Sequence, residues 1–322
     1  MKAIRVHEYG GPEVLRLEDV SVPEPAAGEA VVKLHASGLN FIDVYYRKGV
    51  YKAPQMPFTA GMEAAGVVTA VGADTGDVKV GDRVAYAMAM GAYAEYSSVP
   101  WSRLVKLPGS IDFQQGAAIM LQGMTAHYLT HSTFPLKQGS TALVHAAAGG
   151  VGLLLTQVCR LLGATVYATV GTDAKGELAR AAGASEVIVY SKQDFEAEVK
   201  RLTNGRGVDV VYDAVGRTTF EKSLNCLRPR GFLVMYGKSS GPVGAFDPDT
   251  LAKGSLFLTR PGLPHHIATR DELLSRANDL FKWVTSGQIK LTIGHTFPLI
   301  DAGKAHEALE GRRTTGKVLL LP

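Results

Sequence analysis

Two hydrophobic rhythms divide the chain, and the change between them falls near Gln122. Ahead of it, short β-rich runs are separated by Gly and Pro. Residues 30–36 and 66–72 are predicted strands, and Gly10-Gly11-Pro12 and Gly81-Asp82 are predicted turns. That pattern suits a compact, barrel-like β domain over roughly the first 120 residues. From Thr141 the rhythm becomes apolar strand, helix, apolar strand. Strands are predicted over 141–146, 165–170, 208–212 and 232–236, with helices over 152–162 and 177–182. This alternation requires crossover connections, and so a parallel, doubly wound α/β sheet. A helix over 271–285 and a strand-like 317–321 close the chain, and no repeat or low-complexity linker interrupts it.

The strongest chemical signal lies where the first of these strands meets its helix. Ala147-Ala148-Gly149-Gly150-Val151-Gly152 matches G-x-G-x-x-G with Ala147 in place of the first Gly. Gly149 lets the backbone approach a pyrophosphate, and Gly152 lets the helix pack on the strand. The helix N-terminus offers N–H groups and a positive dipole end to phosphate. A tight structural turn is the competing reading. At the end of the second strand an NAD site places Asp or Glu to hold the ribose 2′-hydroxyl. Gly171 stands there, with Lys175 shortly after it, and a small residue plus a cation suits the extra 2′-phosphate of NADP(H). Asp173 lies nearby and opposes that reading, and an ordinary solvated lysine is the alternative for Lys175.

Bulk properties change the picture little. The 322 residues suit two domains, and 46% apolar with 20% charged residues is ordinary for a packed protein. A net charge of +4 gives no reason to expect a nucleic-acid coat or a membrane-surface protein. Cys159 and Cys226 make no CxxC pair or disulfide framework, which fits a reducing cytosol and an expected cytoplasmic location. The N-terminus alternates like a strand and lacks a signal-peptide core, and no apolar stretch of about 18 residues suggests a membrane span.

Several motifs then converge. Gly61-Met62-Glu63-Ala64-Ala65-Gly66-Val67-Val68-Thr69-Ala70-Val71-Gly72, followed by Gly81-Asp82-Arg83-Val84, resembles the hallmark run of medium-chain dehydrogenases. His145-Ala146-Ala147-Ala148-Gly149-Gly150-Val151-Gly152 resembles the cofactor loop of their quinone oxidoreductase (zeta-crystallin-like) branch. So do Asn40-Phe41-Ile42-Asp43, Val211-Tyr212-Asp213-Ala214-Val215-Gly216, Tyr236-Gly237-Lys238-Ser239-Ser240-Gly241 and Thr259-Arg260-Pro261. The resemblance spans nearly the whole chain. It implies a GroES-like β-rich catalytic domain over 1–123 and 262–322, with an NADPH-binding Rossmann domain over 124–261 inserted in it. In that family the cofactor lies in the cleft between the domains. On matching positions, Asn40, Phe41, Ile42, Asp43 and Tyr128 would line the nicotinamide half, and Gly149, Gly150 and Val151 would meet the pyrophosphate. Gly171, Thr172, Lys175 and Tyr190 would surround the 2′-phosphate. Val215, Tyr236, Gly237, Lys238, Ser239, Pro261, Gly262, Leu263 and Arg312 would close the site. Lys238 departs from the Asn common there, and Arg313 beside Arg312 shares its charge. The resemblance also implies a homodimer that sets the strand-like segments 254–259 side by side.

The zinc alcohol dehydrogenases of this superfamily use a Cys near the start and the His of a Gly-His-Glu triplet. Asn40 and Met62 occupy those places here, and neither is an ordinary zinc ligand. The four-Cys structural lobe is also missing, so no metal site is expected. His127 and His131 share a helix face at i, i+4, but no third ligand is apparent, so a solvated or hydrogen-bonded pair is expected. His265-His266 reads as surface in a Pro-rich loop.

Without metal, the chemistry must suit hydride donation with little acid–base help, and a quinone is such an acceptor. The candidate catalytic residues are Asn40, Asp43, Tyr45, Tyr51, Gln122 and Thr125. The tyrosines would stack on a planar ring or donate a phenolic hydrogen bond, unless they are merely partly buried core. No Ser-His-Asp arrangement suggests a nucleophile. The favoured function is therefore NADPH:quinone reduction. An NADPH-dependent alkenal or enone reductase is the nearest alternative. A non-catalytic NADPH-binding protein of crystallin or RNA-binding type is the other, and the lack of a basic tract argues against RNA.

Overall fold

A computed structural model describes residues 1–322. In chain order it forms β1 (Lys2–Val6), β2 (Arg16–Asp19), β3 (Glu29–Leu39), α1 (Phe41–Arg47), β4 (Phe58–Thr59), β5 (Glu63–Val71), β6 (Arg83–Ala87), β7 (Tyr96–Pro100), β8 (Val105–Lys106) and α2 (Phe113–Tyr128). Next come β9 (Thr141–Val144), α3 (Gly150–Leu161), β10 (Thr165–Val170), α4 (Asp173–Ala181), β11 (Glu186–Val189), α5 (Phe195–Leu202), β12 (Val208–Asp213), α6 (Phe220–Asn225), β13 (Leu227–Met235) and β14 (Phe257–Thr259). The chain ends with α7 (Arg270–Thr285), β15 (Ile293–Pro298), α8 (Ala302–Glu310) and β16 (Lys317–Leu321).

These elements gather into two compact units. One comprises 1–124, 267–287 and 291–322, and the other comprises 125–266 and 288–290. The first is β-rich. Its seven-stranded sheet runs β15-β16-β3-β5-β6-β8, with β7 also paired to β3, and a three-stranded sheet runs β2-β1-β4. Strand β3 extends to Leu39, beyond the expected 30–36, because Ser37, Gly38 and Leu39 pair with β16. The core of this unit is filled by alternating apolar residues such as Ile4, Val32, Val68, Val84, Tyr93 and Val318.

The second unit is built on a six-stranded sheet, β11-β10-β9-β12-β13-β14, in which every pairing is parallel. Counted from β9, the order is 3-2-1-4-5-6, so chain direction across the sheet reverses between β9 and β12. The carboxyl ends of those two strands form the topological switch point of a doubly wound fold. Strands β9 and β12 are buried along nearly their whole length, as a central parallel strand must be. The expected strand over 254–259 is shorter than anticipated. Residues 248–254 wind into a 3₁₀ turn and Ser255 takes a left-handed φ of 49°, so only Phe257–Thr259 pairs, at the sheet edge.

One polar tie closes the amino ends of the central strands. Asp209 accepts from the Thr141 N–H at 2.7 Å, the Thr141 hydroxyl at 2.8 Å and the Arg228 Nε at 2.5 Å. Burial alone would raise its carboxyl, but these donors more than offset that and hold it below the usual carboxylate range. The stability it contributes is therefore present above the unfolded carboxylate value, about 3.9, and is lost as pH falls through the depressed folded value. Asp209→Ala should cost about 1–3 kcal/mol in urea denaturation at neutral pH, with the difference shrinking at strongly acid pH. Equal stability of variant and parent at neutral pH would show that the tie contributes nothing.

Candidate functional site

Each central strand of the Rossmann-type unit delivers a loop to the carboxyl end of the sheet. After β9 the chain turns at Ala146, whose φ of 53° is left-handed, and the Gly149 N–H closes the turn on the Ala146 carbonyl at 2.9 Å. Helix α3 starts at Gly150 rather than at 152, and no side chain caps it. A Cβ on Gly152 would lie 2.7 Å from the Ala147 Cα, so only Gly allows helix and loop to pack here. A Cβ on Gly149 would meet just the Ala146 carbonyl, at 3.2 Å, which leaves that backbone open on its outer side. An uncapped helix N-terminus behind open glycine backbone is the donor set a pyrophosphate needs.

After β10 comes Gly171, where a Cβ would fall 2.8 Å from the Tyr190 hydroxyl. Thr172 caps α4, its side-chain oxygen accepting from the Lys175 N–H at 3.3 Å. Lys175 thus sits in the first turn of α4. Asp173, which weighed against a phosphate site, is paired with Lys192 at 2.5 Å, and that ammonium holds its carboxyl below the usual range. After β12 and β13 the two loops lace together. Ser239 and Ser240 donate backbone N–H groups to the Ala214 and Val215 carbonyls at 3.1 and 2.9 Å, and Tyr236 donates to Asp213 at 2.9 Å. A Cβ on Gly237 would lie 2.8 Å from the Ala214 Cα. Gly149, Gly150, Val151, Gly171, Thr172, Val215, Tyr236, Gly237, Lys238 and Ser239 therefore all lie at one end of this sheet. Burial and the nearby Arg260 lower the Lys238 amine below the ordinary lysine value.

Tyr128 is almost wholly buried, and its ring lies parallel to that of His266, 4.2 Å between centroids. His266 is thus half-buried against Tyr128 within a 3₁₀ turn at Leu263–His266, not a surface loop residue. Pro261 and Gly262 are half-buried just before that turn and Leu263 is in the core. His127 and His131 stack at 4.2 Å, and the His127 carbonyl lies 3.0 Å from the His131 Nδ1. Thr125 is buried on α2.

The structure also assembles a Ser, a His and an Asp that the sequence reading kept apart. His145 Nε2 lies 3.0 Å from the Ser223 hydroxyl, which donates to Asp213 Oδ2 at 3.2 Å. The hydroxyl sits between imidazole and carboxylate, so Asp213 orients the serine rather than the histidine. All three are buried, at 1%, 0% and 0% exposure, so this is not a nucleophilic triad.

In the β-rich unit, Asn40 and Asp43 turn inward. The Asn40 amide donates to Glu63 at 2.8 Å and to the Gly38 carbonyl at 3.1 Å, and its oxygen accepts from Gln122 and Lys317, each at 3.1 Å. Glu63 also accepts from the Leu121 N–H at 2.6 Å and from Lys317 at 2.5 Å. Asn40 and Gln122, expected as cofactor or acceptor contacts, make these side-chain bonds inside the protein. They form one node with Glu63 and Lys317, and no cluster of His, Cys, Asp and Glu suited to a metal occurs in the chain. Asp43 occupies the first turn of α1 and accepts on one oxygen, Oδ2, from the Asn40 N–H at 2.8 Å and the Tyr93 hydroxyl at 2.9 Å. His306 Nε2 stands 3.3 Å from the same hydroxyl, and Arg47 stands 3.2 Å from His306 Nδ1. Burial outweighs these bonds and pushes the Asp43 carboxyl up to about 7, whereas burial and Arg47 push His306 down to about 3.

Tyr45 and Tyr51 are half-buried and meet edge-to-face at 5.4 Å, with Phe41 and Tyr46 flanking them. Ile42 is half-buried beside them. Arg312 is exposed after α8 with a left-handed φ of 57°, next to Arg313. Tyr93, His306 and Lys317 were missed by sequence reasoning. His306 and Lys317 reach Arg47 and Asn40 across separations of 259 and 277 positions, and Tyr93 lies in an irregular segment ahead of β7, 50 positions from Asp43.

An inserted dinucleotide-type sheet, its glycine-lined switch point and a β-rich partner unit define a pyridine-nucleotide dehydrogenase architecture. Comparison agrees: residues 26–109 match the alcohol dehydrogenase GroES-like domain, and 150–264 match the zinc-binding dehydrogenase family. A Pseudomonas aeruginosa quinone oxidoreductase is 47% identical, with 100% of this chain and 99% of that protein covered. A Burkholderia 2-haloacrylate reductase is 42% identical, with 98% of each covered. The Escherichia coli quinone oxidoreductase structure complexed with NADPH superposes with a TM-score of 0.98 at 44% identity, covering 100% of both chains. The chain belongs to the quinone oxidoreductase branch of the medium-chain dehydrogenase/reductase family.

The raised Asp43 carboxyl has a testable consequence. Its proton is held more tightly in the folded than in the unfolded chain, so stability falls as pH rises from about 4 towards 7. Asn in its place can accept both bonds through one oxygen, and its uncharged amide replaces the Oδ1 that lacks a partner. Asp43→Asn should therefore melt above the parent at pH 8 by more than it does at pH 5. A melting difference independent of pH would contradict the raised carboxyl.

Proposed function

We propose that this protein reduces quinones with NADPH, without a metal ion. The observation that carries the reading is the carboxyl end of β10. There an acid that would hold a ribose hydroxyl is replaced by Gly171, while the Thr172 cap and Lys175 open α4 and Asp173 is paired away. Gly149–Val151 would hold the pyrophosphate on the α3 N-terminus, and Tyr190 and Lys175 would frame the 2′-phosphate. The loops at Val215 and Tyr236–Ser239 would close on the remaining length of the cofactor, with Pro261–Leu263 and Arg312 as further contacts.

The chemistry supplied by bound NADPH is hydride transfer, which with one proton takes a quinone to its hydroquinone. The protein's part is to hold the acceptor ring and exclude water. The half-buried cluster of Tyr45 and Tyr51 offers both stacking surface and phenolic donors. Asp43, with a carboxyl near 7, is the group of this unit poised to keep a proton at neutral pH. Asn40 and Gln122 would fix the start of α1, with Asn40 as its cap residue. Asn40 and Met62 also lack the donor chemistry of a zinc site, so chelators should leave turnover intact. No helix is long and apolar enough to cross a membrane, and both cysteines are unpaired and buried, which fits a cytoplasmic protein. At the edge of the six-stranded sheet, β14 exposes half of Phe257 stacked on Phe232 at 4.4 Å. That edge is the surface through which a homodimer would form, and the pairing needs two copies at once.

A steady-state comparison tests the reading. Purified protein should oxidise NADPH with quinones far faster than with enones or 2-haloacrylate, should sediment as a dimer, and should favour NADPH over NADH. Lys175→Ala should raise the NADPH constant about ten- to a hundredfold and leave NADH nearly unchanged. Turnover of enones but not quinones would move the assignment to the enone reductases. NADPH binding with no acceptor turned over would make the protein a non-catalytic binder.

A further inference from the structure

The buried Ser, His and Asp described above extend by one more residue. Thr169 near the end of β10 places its hydroxyl 2.8 Å from His145 Nδ1. Asp213, the last residue of β12, gathers the Val215 and Gly216 N–H groups at 2.7 and 3.0 Å and the Thr219 and Ser223 hydroxyls at 2.7 and 3.2 Å. These contacts fix the direction of every proton. With four donors converging on it, Asp213 acts only as an acceptor. The single Ser223 proton therefore points at Asp213, and the Ser223 oxygen must accept from His145 Nε2–H. The Nδ1 of a neutral His145 then holds a lone pair and accepts from the Thr169 hydroxyl. Burial keeps the imidazole neutral, since it lowers His145 below its ordinary value and outweighs the opposing pull of Asp213.

We propose that Thr169, His145 and Ser223 are positioning residues for the cofactor, which act through Asp213 to hold the carboxyl ends of β9, β10 and β12 in register. The inference rests on the NADPH reading above. Each member belongs to a different segment of the site. His145 precedes the Ala146–Gly149 turn, Thr169 precedes Gly171, Asp213 sets the loop carrying Val215, and Ser223 lies on α6. The main chain repeats the tie, since His145 N–H donates to the Tyr212 carbonyl at 3.1 Å and Ala147 N–H to the Thr169 carbonyl at 3.1 Å. No member is more than 1% exposed, so water cannot replace a deleted hydroxyl, and its partner is left unpaired. A phosphate held by backbone N–H groups is sensitive to displacements of well under an ångström, so slack here is felt as lost affinity. The opposite ends of the same strands, tied by Asp209, are remote from the loops and provide the contrast.

The test measures NADPH dissociation constants by fluorescence titration, alongside melting temperatures, for the parent, Thr169→Val, Thr169→Ser, Ser223→Ala, His145→Gln and Asp209→Ala. Thr169→Val and Ser223→Ala should weaken NADPH about three- to tenfold, the effect of one neutral hydrogen bond. Thr169→Ser keeps the hydroxyl and should restore parental affinity. His145→Gln retains one donor towards Ser223 and should fall between. Asp209→Ala should melt at least as low as these variants yet bind NADPH like the parent. Parental affinity in both Thr169→Val and Ser223→Ala would overturn the proposal, as would affinity loss in Asp209→Ala in proportion to its lowered melting. Failure of the parent itself to bind NADPH would overturn both this proposal and the reading on which it rests.

Discussion

A parallel sheet ends each strand in polar backbone that no neighbouring strand can satisfy, and at a switch point the gap is widest because adjacent crossovers leave in opposite directions. Here that gap is governed by the carboxylate of Asp213. It sits at 0% exposure, yet all of its acceptor capacity is taken up by N–H and hydroxyl donors from the loop and helix that follow it. A buried charge so satisfied is tolerable, whereas one missing a donor is costly. The loop at 214–216, its lacing to 236–240 and the placement of α6 all follow from this one group. So does the seat of the glycine turn after β9, because His145 is bonded to Ser223, which Asp213 holds.

The β-rich unit solves a similar problem with a different device. Glu63 and Lys317 form a buried ion pair, Asn40 and the Leu121 N–H use its remaining lone pairs and protons, and Gln122 donates to the Asn40 oxygen behind them. This node pins the start of α1, on which Phe41, Asp43, Tyr45 and Tyr46 are carried. In both units, buried polar side chains are spent on rigidity. Left outside these ties are open glycine backbone, an uncapped helix N-terminus, half-buried tyrosines and the Asp43 carboxyl, which burial pushes up to about 7.

Much of the fold was legible because its signals are local. The strand over 165–170 and the closing strand over 317–321 fall where the apolar runs place them. The glycine turn and the Gly171–Lys175 segment are short motifs whose context, strand before and helix after, is itself readable. The helix at Phe41–Arg47 was not anticipated, because seven residues carry too little periodicity and its Asn40 and Asp43 signals were read as ligand contacts. Strand β13 begins earlier than expected, as Pro229 and the left-handed Arg230 disguise its first half as a turn. What could not be read was the pairing of distant residues. Lys317 with Glu63 and Asn40, His306 with Arg47, and Ser223 with His145 are contacts of tertiary structure with no local pattern, and each decides whether a nominal site residue faces a ligand or the interior.

The central claim is that the carboxyl ends of β9, β10 and β12 form a prebuilt dinucleotide site. Amide hydrogen exchange with and without saturating NADPH tests it most directly, because the amides proposed to hold the phosphates report for themselves. Slowed exchange is expected in segments 147–153, 171–175 and 214–217, with no change in the small sheet β2-β1-β4. Protection absent from those three loops at saturating NADPH, or confined to other parts of the chain, would contradict it.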